Sequence, residues 1–378
     1  MIAVGSFDGR SNHGKINCPA AEPRGILKAM KKIIYIIGIG GRTGAMFCRE
    51  FQGGCDIVGV GLERETAMIA RGSLKLSRGG LAPEALKVEA VCPDDFAAAI
   101  KKKYPDFIWI ATRNPVTEAV KFYYRNFKGK KDIPALVLSQ NGLSAIGDAR
   151  AALSEVMGQE ADNVRIIRVS LINGIDLKME NEKMGQAAFA SAEVSASQSE
   201  ASIISYKLPI RLGFGALAGT AADMKEILGS AQIKAQEFEG ADVLKMENSK
   251  LFTNLIGMAA AANGMTVGAG FRDKGMFKME VAMLREYVLA ARAGRRGFLD
   301  NYAGYPIKLL AEIMLLPPGL LMPFRGLFER IVAKGRNRPK DLSEIDYYNG
   351  EAVKLGRRYG VPTPVNEAAV AKVKNQKP

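Results

Sequence analysis

Ile33-Ile34-Tyr35-Ile36-Ile37-Gly38-Ile39-Gly40-Gly41-Arg42-Thr43-Gly44-Ala45 is the stretch from which the rest of the chain is read. Five apolar residues run into four glycines, and Met46-Phe47-Cys48-Arg49-Glu50-Phe51 follows with helix-compatible side chains. The pattern predicts a buried parallel strand, a tight turn and a helix whose N-terminus is left open. Glycines let the backbone approach a diphosphate closely, and the free N–H groups and dipole of the helix end favour the anion. Gly38, Gly40, Gly41, Arg42 and Thr43 are therefore candidate contacts to a dinucleotide. The spacing is irregular: Gly38 and Gly40 fit G-x-G, but the third glycine is Gly44, one place late, with Thr43 in its stead. A plain strand–helix turn can carry the same residues, so the flanking segments have to decide.

A length of 378 residues is ample for two domains with cores of their own. The composition, 48% hydrophobic and 24% charged, is that of a soluble globular chain rather than a disordered one. A net charge of +14 admits an anionic partner. Lys and Arg are nevertheless spread along the chain with no aromatic-interleaved basic motif, so nucleic acid is not expected. A phosphorylated cofactor or an acidic small molecule satisfies the same charge, as does a merely basic surface. Cys18, Cys48, Cys55 and Cys92 are isolated, with no C-x-x-C; no metal site or disulfide is expected, and a reducing cytoplasm fits. His13 is the only histidine, which leaves Lys, Tyr, Glu or Asp as proton donor.

Residues 1–30 are polar, without period and without the apolar run of a signal peptide; they read as a disordered extension or as the product of an upstream mis-start. Beyond the glycine loop, Asp56-Ile57-Val58-Gly59-Val60-Gly61-Leu62 is a second strand that ends at Glu63-Arg64-Glu65. At this point a dinucleotide fold distinguishes its cofactors: an acidic side chain binds the ribose 2′-OH of NAD, and an Arg pairs with the 2′-phosphate of NADP. Both types are present, and Arg64 is taken as the deciding residue, favouring NADPH over a solvated charge run. Phe107–Ala111, followed by Thr112-Arg113-Asn114-Pro115, and Ala135–Ser139, followed by Gln140-Asn141-Gly142-Leu143, are further buried strands ending in polar loops. Such strands alternating with helical stretches predict a parallel sheet whose C-terminal loops line one crevice, with Thr112, Arg113 and Asn141 at its rim. Val164–Ser170 and Ile203–Leu208 add strands, and Lys178–Ser202, rich in Ala, Ser and Glu, reads as a surface insertion.

From about Ala241 the character turns helical: Val243–Ala262, Met276–Ala293, Tyr305–Leu316, Gly319–Lys334 and Asp341–Tyr359. The prediction is an α/β chain: a Rossmann-type doubly wound sheet over residues 31–240, then an all-helical substrate and catalytic domain over 241–378. The apolar run Ile307–Phe324 is interrupted by Lys308, Glu312 and Pro317-Pro318, which makes it a buried helix pair or a homodimer face rather than a stable membrane span.

With these segments placed, the chain resembles the ketopantoate reductase (2-dehydropantoate 2-reductase) family. Ser343-Glu344-Ile345-Asp346-Tyr347-Tyr348-Asn349-Gly350, Gly356 and Tyr359-Gly360-Val361-Pro362-Thr363-Pro364-Val365-Asn366 look like the family's T-E-I-D-x-x-N-G…G…G-V-x-T-P-x-N ending. Gln140-Asn141-Gly142-Leu143 looks like its Q-N-G-L loop, and Lys250-Leu251-Phe252-Thr253-Asn254 like its K-L-x-x-N helix. The resemblance spans about residues 31–370. It implies a C-terminal domain like that of 6-phosphogluconate dehydrogenase and NADPH-dependent reduction of a 2-oxo acid, ketopantoate to pantoate in pantothenate biosynthesis. Four departures bear on the substrate. Asn248 stands where the family commonly has Trp, and Met258 where a second Asn is usual, with Asn263 as a stand-in. No Ser occurs in Ile331–Arg338, where a substrate-contacting one is usual, and Arg113 replaces a Lys or small residue.

Reducing a 2-oxo acid needs a hydride donor, a proton donor at the carbonyl oxygen and groups that hold the carboxylate. Lys250 and Asn254, four residues apart, share one helix face. By the resemblance Lys250 is the general acid, since a lysine is protonated at neutral pH and can give its proton to the developing alkoxide. Without the resemblance, a surface lysine on an amphipathic helix is the plainer account. The resemblance makes Glu344 a second catalytic residue, bonded to a substrate hydroxyl; it also suits a helix first turn. Asn254 and Asn263 are assigned to substrate. Asn141 contacts the cofactor ribose or the substrate edge, although Asn-Gly is also a common turn dipeptide. Two other readings stay open: an opine- or hydroxyacid-type dehydrogenase on the same scaffold, and a non-catalytic NADP-binding sensor, against which retained Lys250, Asn254 and Glu344 argue.

Overall fold

Strand β1, Ile33–Ile37, lies at the centre of an eight-stranded sheet because both of its faces are apolar and both find a cover. Ile34 and Ile36 pack with Phe47, Phe51 and Trp109 on one side; Tyr35 and Ile37 pack with Phe96, Val120 and Tyr124 on the other. A strand buried on both faces reads as a continuous apolar run, as this one does. The computed structural model describes residues 31–172, 175–179, 202–229, 231–332 and 339–376. The extension expected over residues 1–30, most of the insertion expected over Lys178–Ser202, and residues 333–338 of the segment lacking a Ser lie outside the described residues.

In chain order the strands are β1, β2 Asp56–Val60, β3 Leu74–Arg78, β4 Glu84–Ala85, β5 Glu89–Val91, β6 Phe107–Ile110, β7 Ala135–Leu138, β8 Ile166–Leu171, β9 Ile175–Met179, β10 Ser202–Tyr206, β11 Ile210–Ala216 and β12 Ile233–Glu239. The main sheet runs β12-β11-β8-β7-β6-β1-β2-β5. The six strands from β5 to β8 are parallel neighbours, β11 is antiparallel to β8, and β12 is parallel to β11. The strand order reverses between β1 and β6, and such a switch point opens a crevice at the carboxyl ends of the strands.

The structure departs from expectation at three places. Strand β10, expected in the main sheet, instead pairs parallel to β3 and antiparallel to β9 in a separate four-stranded sheet ordered β4-β3-β10-β9. Its Ile204 and Tyr206 are buried in the same core as Leu74 and Leu76. Strands β11 and β12 extend the main sheet to the border with the helical part. The helix expected over Val243–Ala262 is two helices, Ala241–Leu255 and Met258–Ala262, separated at Gly257, whose φ of 88° lies in the left-handed region.

Strands end at Glu239 and helices follow from Ala241. The core of this part is built on the twenty-residue helix Lys274–Ala293, whose Phe277, Val281, Leu284 and Val288 are buried. Lys32–Pro378 forms one compact unit, so sheet and helices can share a site. The apolar run Ile307–Phe324 is three short pieces, Ile307–Ile313, Pro318–Leu321 and the 3-10 turn Met322–Phe324, with Arg325–Val332 after it. Ile307, Ala311, Met314 and Leu321 are buried, whereas Leu309, Leu320, Phe324 and Leu327 face outward. Among the described residues no single helix is long and apolar enough to cross a membrane.

Candidate active site

The glycine loop is held to backbone tolerances. Gly38 has a φ of 90°, and its N–H and that of Ile39 both donate to Val60 O, at 2.8 and 3.2 Å. The following helix, Arg42–Phe51, starts earlier than the glycine spacing suggests and places Gly44 in its first turn. A Cβ on Gly44 would lie 2.3 Å from Gly38 O, so the glycine that comes one place late is the one allowing helix and strand to pack closely. Gly40 lies under the Glu65 side chain, with 2.3 Å from its ideal Cβ position to the carboxyl carbon. Arg42 is exposed and its guanidinium donates to Ile175 O at 3.3 Å; Gly41 precedes the helix as its cap.

At the end of β2 the Glu63 and Arg64 side chains are both exposed, and only Glu65 is taken up by the protein itself. Glu65 accepts a bond from Leu62 N at 2.9 Å and so caps the helix Glu63–Ala70. Arg64, in the first turn of the same helix, is exposed and makes no hydrogen bond or ion pair among the described residues.

The loops after β6 and β7 meet. Gln140 is buried and donates to Ile110 O at 2.8 Å and Thr112 O at 3.0 Å. Asn114 donates to Asn141 O at 2.6 Å. Thr112 Oγ1, Asn114 Oδ1 and Gln140 Oε1 are buried without a partner. Buried polar atoms are nearly always bonded, so three orphans beside one glycine loop mark a place where a polar ligand is expected. Arg113 is exposed on the same loop.

Asn141 is the centre of the arrangement. Its amide nitrogen donates to Glu344 Oε2 and to Tyr348 Oη, each at 3.0 Å, and its amide oxygen accepts from Asn254 at 3.3 Å. Tyr348 donates to Glu344 Oε2 at 2.9 Å. Burial first, then the Glu344 carboxylate, push the Tyr348 hydroxyl far above the usual phenol range, so it keeps its proton. Glu344 and Tyr348 are four apart at the start of helix Ile345–Tyr359 and face the sheet together. Lys250 and Asn254 present one face of helix Ala241–Leu255 to the same place. Lys250 Nζ donates to Leu171 O at 2.5 Å, at the carboxyl end of β8.

A cleft of about 220 Å³ joins these parts, lined by Arg42, Thr43, Gln140, Asn141, Ser170 and Lys250 among others. That is below the roughly 300–1,000 Å³ of sites that enclose drug-sized ligands, and it suits a small acid beside the reactive end of a larger cofactor. Ser170 shares a hydrogen bond of 2.5 Å with buried Tyr302 in its wall, where burial holds the Tyr302 hydroxyl up to about 12.

The structure thus brings Arg42, Thr43, Asn141 and Lys250 to one cleft and joins Asn254 and Glu344 to Asn141. It does not bring Asn263 there: that side chain donates to Ala259 O at 2.8 Å and accepts from Lys372 Nζ. The two helical departures from the family pattern also lie away from the cleft. Asn248 is fully buried and donates to Gly297 O at 3.1 Å, and Met258, past the Gly257 break, is in the core with Met283 and Ile345. The long C-terminal motif is mostly a packing device. Asn349 donates to Asn366 Oδ1, Asn366 donates to Met283 O and Glu286, and a Cβ on Gly356 would lie 2.6 Å from Val361 O.

Tyr348, with Tyr347 the other proton donor the sequence offers besides Lys250, lies one helical turn beyond Glu344 and joins it here. One residue of the site escapes sequence reasoning. Arg168, buried at 3% exposure in the middle of β8, contacts buried Glu247 and the loop bearing Asn141. A charge inside an apolar strand signals a buried partner without saying which.

Residues 337–377 match the model of the ketopantoate reductase PanE/ApbA C-terminal family. No curated protein matches the chain in sequence. Among solved structures, a PanE/ApbA family ketopantoate reductase from Ralstonia eutropha JMP134 is similar at a TM-score of 0.62 and 16% identity, covering 91% of this chain and 97% of that one. A 2-dehydropantoate 2-reductase from Geobacter metallireducens GS-15 gives 0.58 and 15%, covering 91% and 99%. D-mandelate dehydrogenase with NADH and anilino(oxo)acetate gives 0.61 and 17%, covering 91% and 97%. At these identities the structures share the fold alone. The C-terminal segment 337–377 thus carries the pattern of the ketopantoate reductase C-terminal family, and the chain shares its fold with solved ketopantoate reductases.

Proposed function

We propose that the protein reduces a small 2-oxo acid to the 2-hydroxy acid with NADPH. The observation that carries this reading is that Lys250 and Asn141 line one cleft beside a glycine-loop helix, with Asn254 and Glu344 bonded to Asn141. The residues fit a nicotinamide dinucleotide. The Gly38–Gly44 loop leaves the backbone open to a diphosphate, Arg42 stands at the helix start, and the orphaned atoms of Thr112, Asn114 and Gln140 wait for donors. A bound nicotinamide supplies the hydride to the carbonyl carbon. Lys250 gives the proton to the carbonyl oxygen, which closes the charge balance of the reduction. Asn254 holds Asn141, and Glu344 with Tyr348 fixes the rotamer of its amide, so the polar edge of the cleft is set before substrate arrives.

The Arg64 guanidinium, exposed at the end of β2 while the Glu65 carboxylate is bonded to Leu62 N, supports NADPH over NADH in this reading. A cytoplasmic setting suits the free thiols of Cys48 and Cys92. Because D-mandelate dehydrogenase shares the scaffold, aryl-substituted 2-oxo acids belong beside ketopantoate in the test. The test is a panel of 2-oxo acids scored by loss of nicotinamide absorbance, with NADPH and NADH in parallel. Turnover of at least one acid is expected. Cofactor binding with no turnover across the panel would favour a sensor, and no cofactor binding at all would overturn the reading.

A further inference from the structure

The loop carrying Asn141 is not held by its own turn alone. Arg168, from the middle of β8, reaches it from beneath. Its Nη1 donates to Leu138 O at 2.9 Å, and its Nη2 donates to Gln140 O and, at 3.4 Å, to Gly142 O. Those carbonyls belong to alternate residues, and the last two flank Asn141 on either side. The Nε edge of the same guanidinium donates to Glu247 Oε1. Glu247 precedes Lys250 by three residues and Asn254 by seven, so all three lie along one stripe of helix Ala241–Leu255. One planar cation therefore connects the loop that presents Asn141 with the helix face that presents Lys250 and Asn254.

A planar fork with five donors can span carbonyls and a carboxylate together; an ammonium cannot. The arrangement is costly if its only purpose is stability, because a buried ion pair can often be replaced by apolar residues of similar volume without loss. Arg168 and Glu247 are 3% and 4% exposed. What an apolar pair cannot do is fix three carbonyls in one plane. We infer that Arg168, braced by Glu247, is a positioning residue that sets the distance between Asn141 and the Lys250–Asn254 face.

The inference about geometry stands on the contacts alone, while its consequence for turnover rests on the oxidoreductase reading above; the experiment separates the two. Three variants are compared with the wild type: Arg168→Met, the double change Arg168→Met/Glu247→Leu, and Arg168→Lys. The single Met variant is expected to lower Tm sharply, since it leaves Glu247 buried and unpaired. The double variant removes both charges, and its Tm is expected to recover to near the wild-type value. Its kcat is nevertheless expected to stay about 100-fold low, the size of effect a misplacement of about 1 Å can have. Arg168→Lys keeps the charge beside Glu247 but cannot fork, so near-normal Tm with kcat lowered at least about tenfold is expected.

A second readout needs no turnover. In protein labelled with ¹⁵N at asparagine, the Asn141 side-chain amide is expected to shift in the double and Lys variants. A double variant that regains both Tm and kcat, with Asn141 unmoved, would make Arg168 merely structural and overturn the inference. Should the double variant fail to fold, Arg168→Lys decides alone: wild-type kcat and an unmoved Asn141 amide overturn it. If the wild type reduces no oxo acid, the functional reading fails, and the amide shift still decides whether Arg168 places Asn141.

Discussion

Arg64 stands between Glu63 and Glu65 at the end of β2, and the two kinds of charge make opposite demands on a ribose 2′ substituent. The sequence offers both, and periodicity cannot choose between them. The fold removes one rival, because the first turn of a helix has N–H groups to satisfy, and Glu65 turns back to take that of Leu62 at 2.9 Å, leaving Glu63 and Arg64 exposed. Arg64 keeps its charge for solvent or ligand. Replacing Arg64 by Ala is therefore expected to weaken NADPH by about 1.5–3 kcal/mol, roughly 10- to 100-fold in Kd, the scale of a lost charge-assisted bond. NADH binding should change little. Cofactor titration by fluorescence checks this, and an equal loss for both cofactors would give the decision to Glu63. The same scale shows why Asn263 is not joined to Asn141 while Asn254 is. The position four residues after Asn254 lies past Gly257, where the helix has already turned away, and a count of residues carries no record of that break.

The break itself is an element built around a buried acid. Glu280, fully buried on helix Lys274–Ala293, accepts bonds from Ala260 N at 2.9 Å and Gly257 N at 3.1 Å, and so anchors the start of helix Met258–Ala262. Lys340 Nζ donates to Asn254 O and, at 3.0 Å, to Ile256 O, closing the end of the preceding helix. Burial lifts the Glu280 carboxyl to about 7, with the backbone N–H groups pulling the other way. A group whose pKa is higher folded than unfolded binds more protons when folded, so its contribution to stability falls as pH rises. It is fully present below about pH 4 and is lost through about pH 7, a change on the order of 3 kcal/mol. Glu280→Gln, which mimics the neutral acid, should flatten that dependence: relative to wild type, the variant gains stability between pH 5 and pH 8. Urea unfolding at the two pH values reads the slope, and an unchanged slope would show that Glu280 does not titrate there. Elements of this kind are where sequence reading stops. Strands β1, β2, β6 and β7 are apolar runs ended by polar turns, and their place in a parallel sheet follows from that pattern. Strand β10 looks equally strand-like, but its partner β3 is about 130 positions earlier by pairing of Ser202 with Leu74, and only the assembled chain shows that the two form a second sheet.

At the scale of the whole molecule, the proposed chemistry divides the work between two parts of one compact unit. The sheet contributes the glycine loop, the orphaned acceptors of Thr112, Asn114 and Gln140, and Asn141; the helices contribute Lys250, Asn254 and Glu344. The change from strands to helices near residue 240 was readable from the sequence, because β-branched runs give way there to helical periods. The brace between the parts, Arg168 with Glu247, was not, since two charged residues 79 positions apart do not announce that they pair. The division has a kinetic consequence. A residue on the helical side that moves a proton can be removed without touching the groups that hold a dinucleotide on the sheet side. Lys250→Ala is expected to lower kcat by about 10²–10⁴-fold, the size of a general-acid contribution. The Kd for NADPH should stay close to that of the wild type. Lys250→Met preserves the bulk of the side chain without a transferable proton and should match Ala in rate, which separates proton donation from packing against Leu171. Oxidation of NADPH with the best acid of the panel measures the rate, and fluorescence titration measures the cofactor. Near wild-type turnover in both variants would remove Lys250 from the chemistry. Loss of NADPH binding in parallel with rate would instead mean that the ammonium serves the cofactor and that the two parts do not divide the work as placed here.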